Sequence, residues 1–258
     1  MRALVVTVAA HEVEVASDAL WALGVMAVEE RPGPDGSIEL WTSLDGADPG
    51  PLAWPWREET IDTAVADTWK AFARPTFVTP DIAIVPTWVE APHVSTAIRI
   101  DPAATFGMGD HPTTLLTARA LQRGLHPGEC VLDVGCGSGV LAILAARCGA
   151  SAVSAIDISP AAIAATASNA AINGVVIDAS TTPLAEVAGV YDLVVANILA
   201  PVLLDLAHDL RRVTGRRLIL SGLLATRYEH VVAALAPMVV DQVDELDGWV
   251  AVSVSAAP

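Results

Sequence analysis

Residues 131–139, Val131-Leu132-Asp133-Val134-Gly135-Cys136-Gly137-Ser138-Gly139, set a short apolar run with one acid directly against three alternating glycines. The next residues, Val140-Leu141-Ala142-Ile143-Leu144-Ala145-Ala146, read as the opening of a helix. Such a pattern specifies a strand, a tight turn and a helix start, because glycine accepts positive φ and lets a ligand approach the backbone closely. The free N–H groups of the helix start favour a negatively charged group, which implies a small anionic or zwitterionic cofactor. Dinucleotide-binding turns carry G-x-G-x-x-G and would need glycine where this chain has Val140. The spacing here is G-x-G-x-G, which by itself also fits a plain strand-to-helix connection.

Downstream, strand and helix alternate, as a parallel sheet covered on both faces demands. Val153-Ser154-Ala155-Ile156-Asp157 reads as the second strand, and its terminal acid lies about 20 residues past Gly135, where doubly wound folds set a carboxylate beside a ribose. The competing reading of Asp157 is a cap for the helix Ala161 to Asn173, which Gly174 closes. Val175-Val176-Ile177 is expected as a short third strand, with Asp178 after it as a candidate partner for an adenine amino group. Tyr191 to Asn197 is the fourth strand and runs into a helix from about Pro201 to Val213. A polar Asn197 at a strand's carboxyl end stands where open α/β sheets bind ligands, or it caps the helix. Arg217 to Gly222 supplies strand five, Ala225 to Leu235 the next helix. Met238-Val239-Val240 and Trp249 to Val254 should close the sheet as an antiparallel hairpin around the acidic stretch Asp241 to Asp247.

Ahead of the glycine turn, Leu4 to Val8 reads as a strand and Val13 to Leu23 as a helix ended by Gly24. Val25 to Val28 and Ile38 to Trp41 read as strands, and Glu58 to Phe72 as a helix, making a small α+β unit. Most of the tryptophans lie in this part of the chain, where they fill a small core or form a recognition surface. Ile82 to Val85 and Ala97 to Ile100 are extended stretches expected to form a connecting hairpin. Phe106-Gly107-Met108-Gly109-Asp110-His111-Pro112-Thr113-Thr114 precedes an apolar helix, Leu115 to Leu125. Its proline suits a first helical turn, and its hydroxyls can cap free N–H groups or reach a ligand. His111 offers a general base or, as a histidine at a helix start, a structural hydrogen bond.

With 14 Lys+Arg against 30 Asp+Glu, the formal charge is −16, which opposes direct binding to nucleic acid or to an anionic membrane. A basic partner fits better, and most of the excess acid lies in residues 1–104. Cys130, Cys136 and Cys148 have no metal-ligand spacing, so no metal is expected, and reduced thiols in the cytoplasm fit best. The start of the chain turns acidic too soon for a secretion signal, and no run approaches the ~18 apolar residues of a membrane helix.

Four motifs in fixed order, FGMGDHPTT, LDVGCGSG, AIDISPAAIAATASNAAING and VVANILAPVL, together resemble the ribosomal protein L-eleven methyltransferase family (PrmA-type). The glycine turn itself is similar to motif I of class I methyltransferases, which bind S-adenosylmethionine. The resemblance implies a doubly wound, mostly parallel seven-stranded α/β sheet with a small N-terminal α+β domain. It divides the chain into a shortened substrate-recognition domain over 1–75, a linker and hairpin over 76–104, and a catalytic domain over 105–258. By position it carries the cofactor contacts to Thr114, Gly135, Asp157 and Asn197. For such a reaction Asn197 is also the candidate to orient the acceptor amine, since its side-chain oxygen, or the Ile198 carbonyl, accepts N–H bonds without stabilising an ammonium as a carboxylate would. Asp110 and Met108 stand where the family has threonine. The implied reaction is methylation of lysine or N-terminal amino groups on a basic ribosomal protein. The alternatives are another protein lysine, as on an electron-transfer flavoprotein subunit, a small amine, or a non-catalytic cofactor-binding module.

Overall fold

The computed structural model describes the chain except residues 1, 24, 26–27, 44–48, 61–72, 103–106, 108 and 257–258. It divides into two compact units, Met1–Ala73 and Arg74–Pro258.

The first unit holds β1 (Arg2–Val8), α1 (Val13–Ala22), β2 (Glu29–Pro32), β3 (Ile38–Ser43) and β4 (Trp56–Thr60). Its antiparallel sheet has the order β2-β3-β1-β4. Alternate residues of β1, Leu4, Val6 and Val8, pack with Ala16 and Leu20 of α1. Two expectations change here. Of the strand read at Val25–Val28, Val25 and Val28 lie outside any strand and 26–27 outside the described residues, β2 beginning at Glu29; Glu58 to Thr60, read as a helix start, belong to β4. The remainder of that expected helix lies outside the described residues. Charge at β4 is an edge-strand feature: Arg57 donates to Glu39 at 3.0 Å and Glu59 at 2.7 Å, and Arg2 to Glu58 at 3.1 Å. Trp54 packs against this small core, whereas Trp56 is exposed and Trp41 lies under the Arg31 guanidinium, 4.2 Å from its ring centroid, so these tryptophans divide between core and surface.

The second unit opens with β5 (Thr76–Thr79), β6 (Ile82–Pro86) and β7 (Thr96–Ile100). The stretch expected as a linker is thus a three-stranded sheet. Its hairpin joins β5 to β6, and β7 runs parallel to β6 rather than folding back on it. Val78, Ile84, Ile98 and Ile100 belong to the main core of this unit, which ties the segment to it.

Next come α2 (Pro112–Gly124), β8 (Cys130–Val134), α3 (Val140–Arg147), β9 (Ala152–Ile156) and α4 (Pro160–Ile172). They are followed by β10 (Asp178–Ser180), β11 (Tyr191–Asn197), α5 (Ala200–Val213), β12 (Thr214–Leu224), α6 (Glu229–Ala234), β13 (Val239–Leu246) and β14 (Trp249–Ser255). The seven strands β8 to β14 form one sheet of order β10-β9-β8-β11-β12-β14-β13, parallel except where β14 meets β12 and β13. Strand alternation sends Val131, Val153 and Val195 into one core with Leu121 of α2 and Ile143 of α3. Leu132, Val194 and Leu218 enter a second core with Leu203 and Leu210 of α5. Helices on both faces make the sheet doubly wound, as the alternation implied.

The third strand starts three residues later than Val175, so Asp178 opens β10 instead of following it. In the parallel pairing Asp178 sits opposite Ser154, in the middle of β9, and Ser180 opposite Ile156 stands at the carboxyl end, so Asp178 is not the residue that follows the strand. The acidic stretch 241–246 is itself part of β13. It tolerates charge because it is the sheet's edge, where Asp244 pairs with Arg123 and Asp241 with Arg217 at 3.5 Å.

Leu132 is fully buried in a strand paired on both sides. Leu132→Ala is expected to lower unfolding free energy by about 2–5 kcal/mol, read as a lower urea midpoint with unchanged slope.

Candidate active site

The carboxyl ends of β8, β9 and β11 converge through their following turns. Gly135 leaves β8 with φ +75°, and a Cβ there would stand 2.3 Å from Cγ2 of Ile198, the residue after β11. Only glycine meets both conditions. Ile198 is confined from its other side too: a Cβ on Gly222 of β12 would lie 2.3 Å from the Ile198 carbonyl oxygen. Sequence reading singled out Gly135 but took Gly222 only as a strand end. The seat made by both fixes Asn197 immediately before Ile198.

The amides of the turn are mostly taken by the protein. Gly135 N and Cys136 N both donate to the Ile156 carbonyl, at 2.8 and 3.1 Å. Gly137 N donates to Asp157 Oδ2 at 3.0 Å, and Ser159 N to Asp157 Oδ1 at 2.9 Å. A carboxylate oxygen has lone pairs beyond one such bond, so Asp157 can still accept from vicinal hydroxyls. Its two reading options, ribose partner and helix cap, are therefore compatible. Ile158, next in the chain, is 94% exposed and offers an apolar surface beside Asp157 that periodicity does not announce.

At the start of α3 the anionic group expected from a ligand is supplied from within. Asp133 Oδ2 accepts from Ala142 N at 3.0 Å, capping the helix from the strand below. The residue has no solvent exposure, and Oδ1 has no hydrogen-bond partner. Burial pushes the carboxyl up to about 7, aided by the nearby Asp157 charge. The Asp157 carboxylate beside the turn suits a cofactor with a ribose diol. Burial also pushes the Cys136 thiol up to about 12, which keeps it protonated inside the turn.

Thr114 lies in the first turn of α2, buried, and its Oγ1 accepts from Asn197 Nδ2 at 3.4 Å. The structure thus joins two residues 83 positions apart that sequence reading named separately. With Nδ2 so directed, Oδ1 is the acceptor Asn197 can offer. His111 is the cap of α2: its Nδ1 accepts from Thr113 N at 3.3 Å and lies 2.7 Å from Thr113 Oγ1. Desolvation lowers its pKa against a smaller opposing effect of Asp110, so the ring is neutral at neutral pH. Its edge packs on Trp249 with centroids 5.3 Å apart.

Comparison with known proteins agrees with this geometry. The family described as ribosomal protein L11 methyltransferase (PrmA) matches residues 40–257. The chain belongs to that family. A relative of this name from Symbiobacterium thermophilum is 43% identical over 216 residues, 81% of this chain and 69% of that protein. Another from Thiobacillus denitrificans is 42% identical over 200 residues, 74% of this chain and 67% of that protein. The crystal structure of a ribosomal protein L11 methylase from Lactobacillus delbrueckii subsp. bulgaricus superposes with TM-score 0.66 at 35% identity, covering 71% of this chain and 98% of that one. The family's members are S-adenosylmethionine-dependent protein methyltransferases, and so is this chain.

Asp133 gives the site a pH signature. Its carboxyl ionises near 3.8 when unfolded and near 7 when folded, so the stability of the neutral buried form is complete below 3.8 and lost as pH rises through 7. Asp133→Asn is expected to gain stability relative to the parent as pH rises from 3.8 to about 7 and to keep that gain above it, measured by urea unfolding. A difference constant with pH would mean that the carboxyl does not titrate in this window.

Proposed function

We propose that this enzyme transfers methyl groups to lysine or N-terminal amino groups of ribosomal protein L11, with Gly135, Asp157, Thr114 and Asn197 forming the donor site. The observation that carries the reading is the Asn197–Thr114 contact beside the glycine turn, in a chain whose family is named for that target. In the family's chemistry S-adenosylmethionine supplies an electrophilic methyl group on a sulfonium. Asp157 would hold the ribose hydroxyls while Gly137 N and Ser159 N fix its carboxylate. The exposed Ile158 would offer its side chain to the adenine.

The acceptor amine must react neutral, and an acidic surface that attracts lysine also raises its pKa, about 10.4 when unperturbed. Asn197 resolves the conflict. Its Oδ1, or the Ile198 carbonyl, accepts an amine N–H without stabilising an ammonium as a carboxylate would. His111 serves as the helix cap, and the proton lost from the product leaves to water. Catalysis then rests on placement of the amine in line with the methyl group.

The domain assignment follows the same reading. Residues 1–73 recognise the target, and 74–258, with the sheet of β5 to β7 built into its core, carry the donor site; a ribosomal target puts the work in the cytoplasm. The family match begins at residue 40, so most of the first unit's leading strands fall outside it, and this favours as second reading a different protein lysine or a small amine.

Purified protein incubated with radiolabelled S-adenosylmethionine and the host ribosomal proteins should label one band at the mass of L11, absent with Asp157→Ala. Cofactor binding with label on another band would transfer the assignment to that acceptor. Asn197→Ala should lower kcat by about 10- to 100-fold. Full turnover in that variant, with loss of turnover but intact cofactor binding in His111→Ala, would reassign the polar role.

A further inference from the structure

α4 is rich in alanine, yet three polar residues, Thr166, Asn169 and Asn173, recur at helical spacing on one face and are all buried. A polar stripe without exposure must find partners in the fold. Thr166 Oγ1 donates to the Gly137 carbonyl at 3.1 Å, inside the glycine turn. Asn169 makes three bonds: Oδ1 accepts from Asp101 N at 2.9 Å, and Nδ2 donates to Asp101 O at 2.8 Å and to Ser138 O at 2.9 Å. Both amide hydrogens and the oxygen are satisfied, and a flipped amide would set oxygen against two carbonyls.

Asn173 repeats the first half of this arrangement one turn along. Its Oδ1 accepts from Arg99 N at 2.8 Å and its Nδ2 donates to Arg99 O at 2.7 Å. The second hydrogen goes back to its own helix, to Asn169 O at 2.8 Å. The two asparagines therefore act as a surrogate strand alongside residues 99 and 101, but only Asn169 reaches the glycine turn. Ser138 closes the loop, since its Oγ donates to the Gly107 carbonyl at 2.6 Å.

We propose that Asn169, assisted by Thr166, is a positioning residue for the methyl-donor site: it sets the peptide planes of the glycine turn and clamps that turn to the chain at Asp101. The physical link is the planar trans peptide, in which the N–H points opposite to the C=O. Drawing the Gly137 and Ser138 carbonyls toward α4 directs the Ser138 N–H away from it and the Gly139 N–H to its own bond with Cys136 O, 2.8 Å. The turn is thereby held in its binding shape before the cofactor arrives, which reduces the ordering needed on binding. This inference rests on the glycine turn being the donor site.

Titration calorimetry with S-adenosylmethionine, paired with thermal melting, tests it on the full chain. Asn169→Ala and Asn173→Ala should lower the melting midpoint comparably, while only Asn169→Ala raises the cofactor Kd at least tenfold. Thr166→Val, which keeps the side-chain shape and removes the bond to Gly137, should raise Kd several-fold. An unchanged Kd in Asn169→Ala, or equal changes in both asparagine variants, overturns the positioning role. Should Asn169→Ala fail to fold, an unchanged Kd in Thr166→Val overturns it. Undiminished binding by Asp157→Ala would instead overturn the donor-site reading beneath it, whereas loss there with Asn169→Ala unaffected rejects the positioning role alone.

Discussion

One hydrogen bond sealed from water organises the catalytic unit: the Asp133 carboxyl of β8 holds the Ala142 amide of α3. A strand and helix joined by a turn with alternating glycines have wide freedom in their mutual angle, and this bond removes it. It also decides what the turn can hold. The Ala142 amide at the start of α3 is already taken by Asp133, so it is not open to a ligand. Because Asp133 is wholly desolvated, its partner cannot be replaced by water, and the angle between β8 and α3 is fixed as firmly as the core around it.

From that junction the other contacts follow outward. Asp157 takes the Gly137 amide and so aligns the end of β9 with the turn. Ile198, seated between Gly135 and Gly222, does the same for β11, and Asn197 is carried with it to Thr114. Groups from β8, β9, β11 and α2 thus share one scaffold of bonds, while the first unit has its own sheet and its own small core.

The strand–turn–helix rhythm was legible because it rests on local chemistry: apolar runs, a glycine turn, a polar residue ending a strand. What escaped was set by partners far along the chain. Trp56 to Thr60 and residues 241 to 246 look too charged for strands, and become strands because each is an edge whose charges meet opposite charges from elsewhere, Arg57 with Glu39 and Asp244 with Arg123. Asp178 was misplaced because a three-residue strand carries too little pattern to locate, and its pairing with β9 decides its start. The β6 to β7 pairing could not be read as parallel, since extended stretches carry no sign of direction. Thr166, Asn169 and Asn173 did leave a signal, three polar residues on one side of an alanine-rich helix, but a surface stripe has the same periodicity.

The seat of Ile198 has a consequence for how such an enzyme can change over generations. A side chain added at 135 or at 222 collides with residue 198, and shifting residue 198 drags Asn197 from Thr114. The three positions form an interlock in which no member drifts alone. Novelty in what gets methylated must therefore arise on surfaces outside it, and a charged sheet face of the kind the first unit presents, built from exchangeable Arg–Glu pairs, is free to be rewritten without disturbing the chemistry.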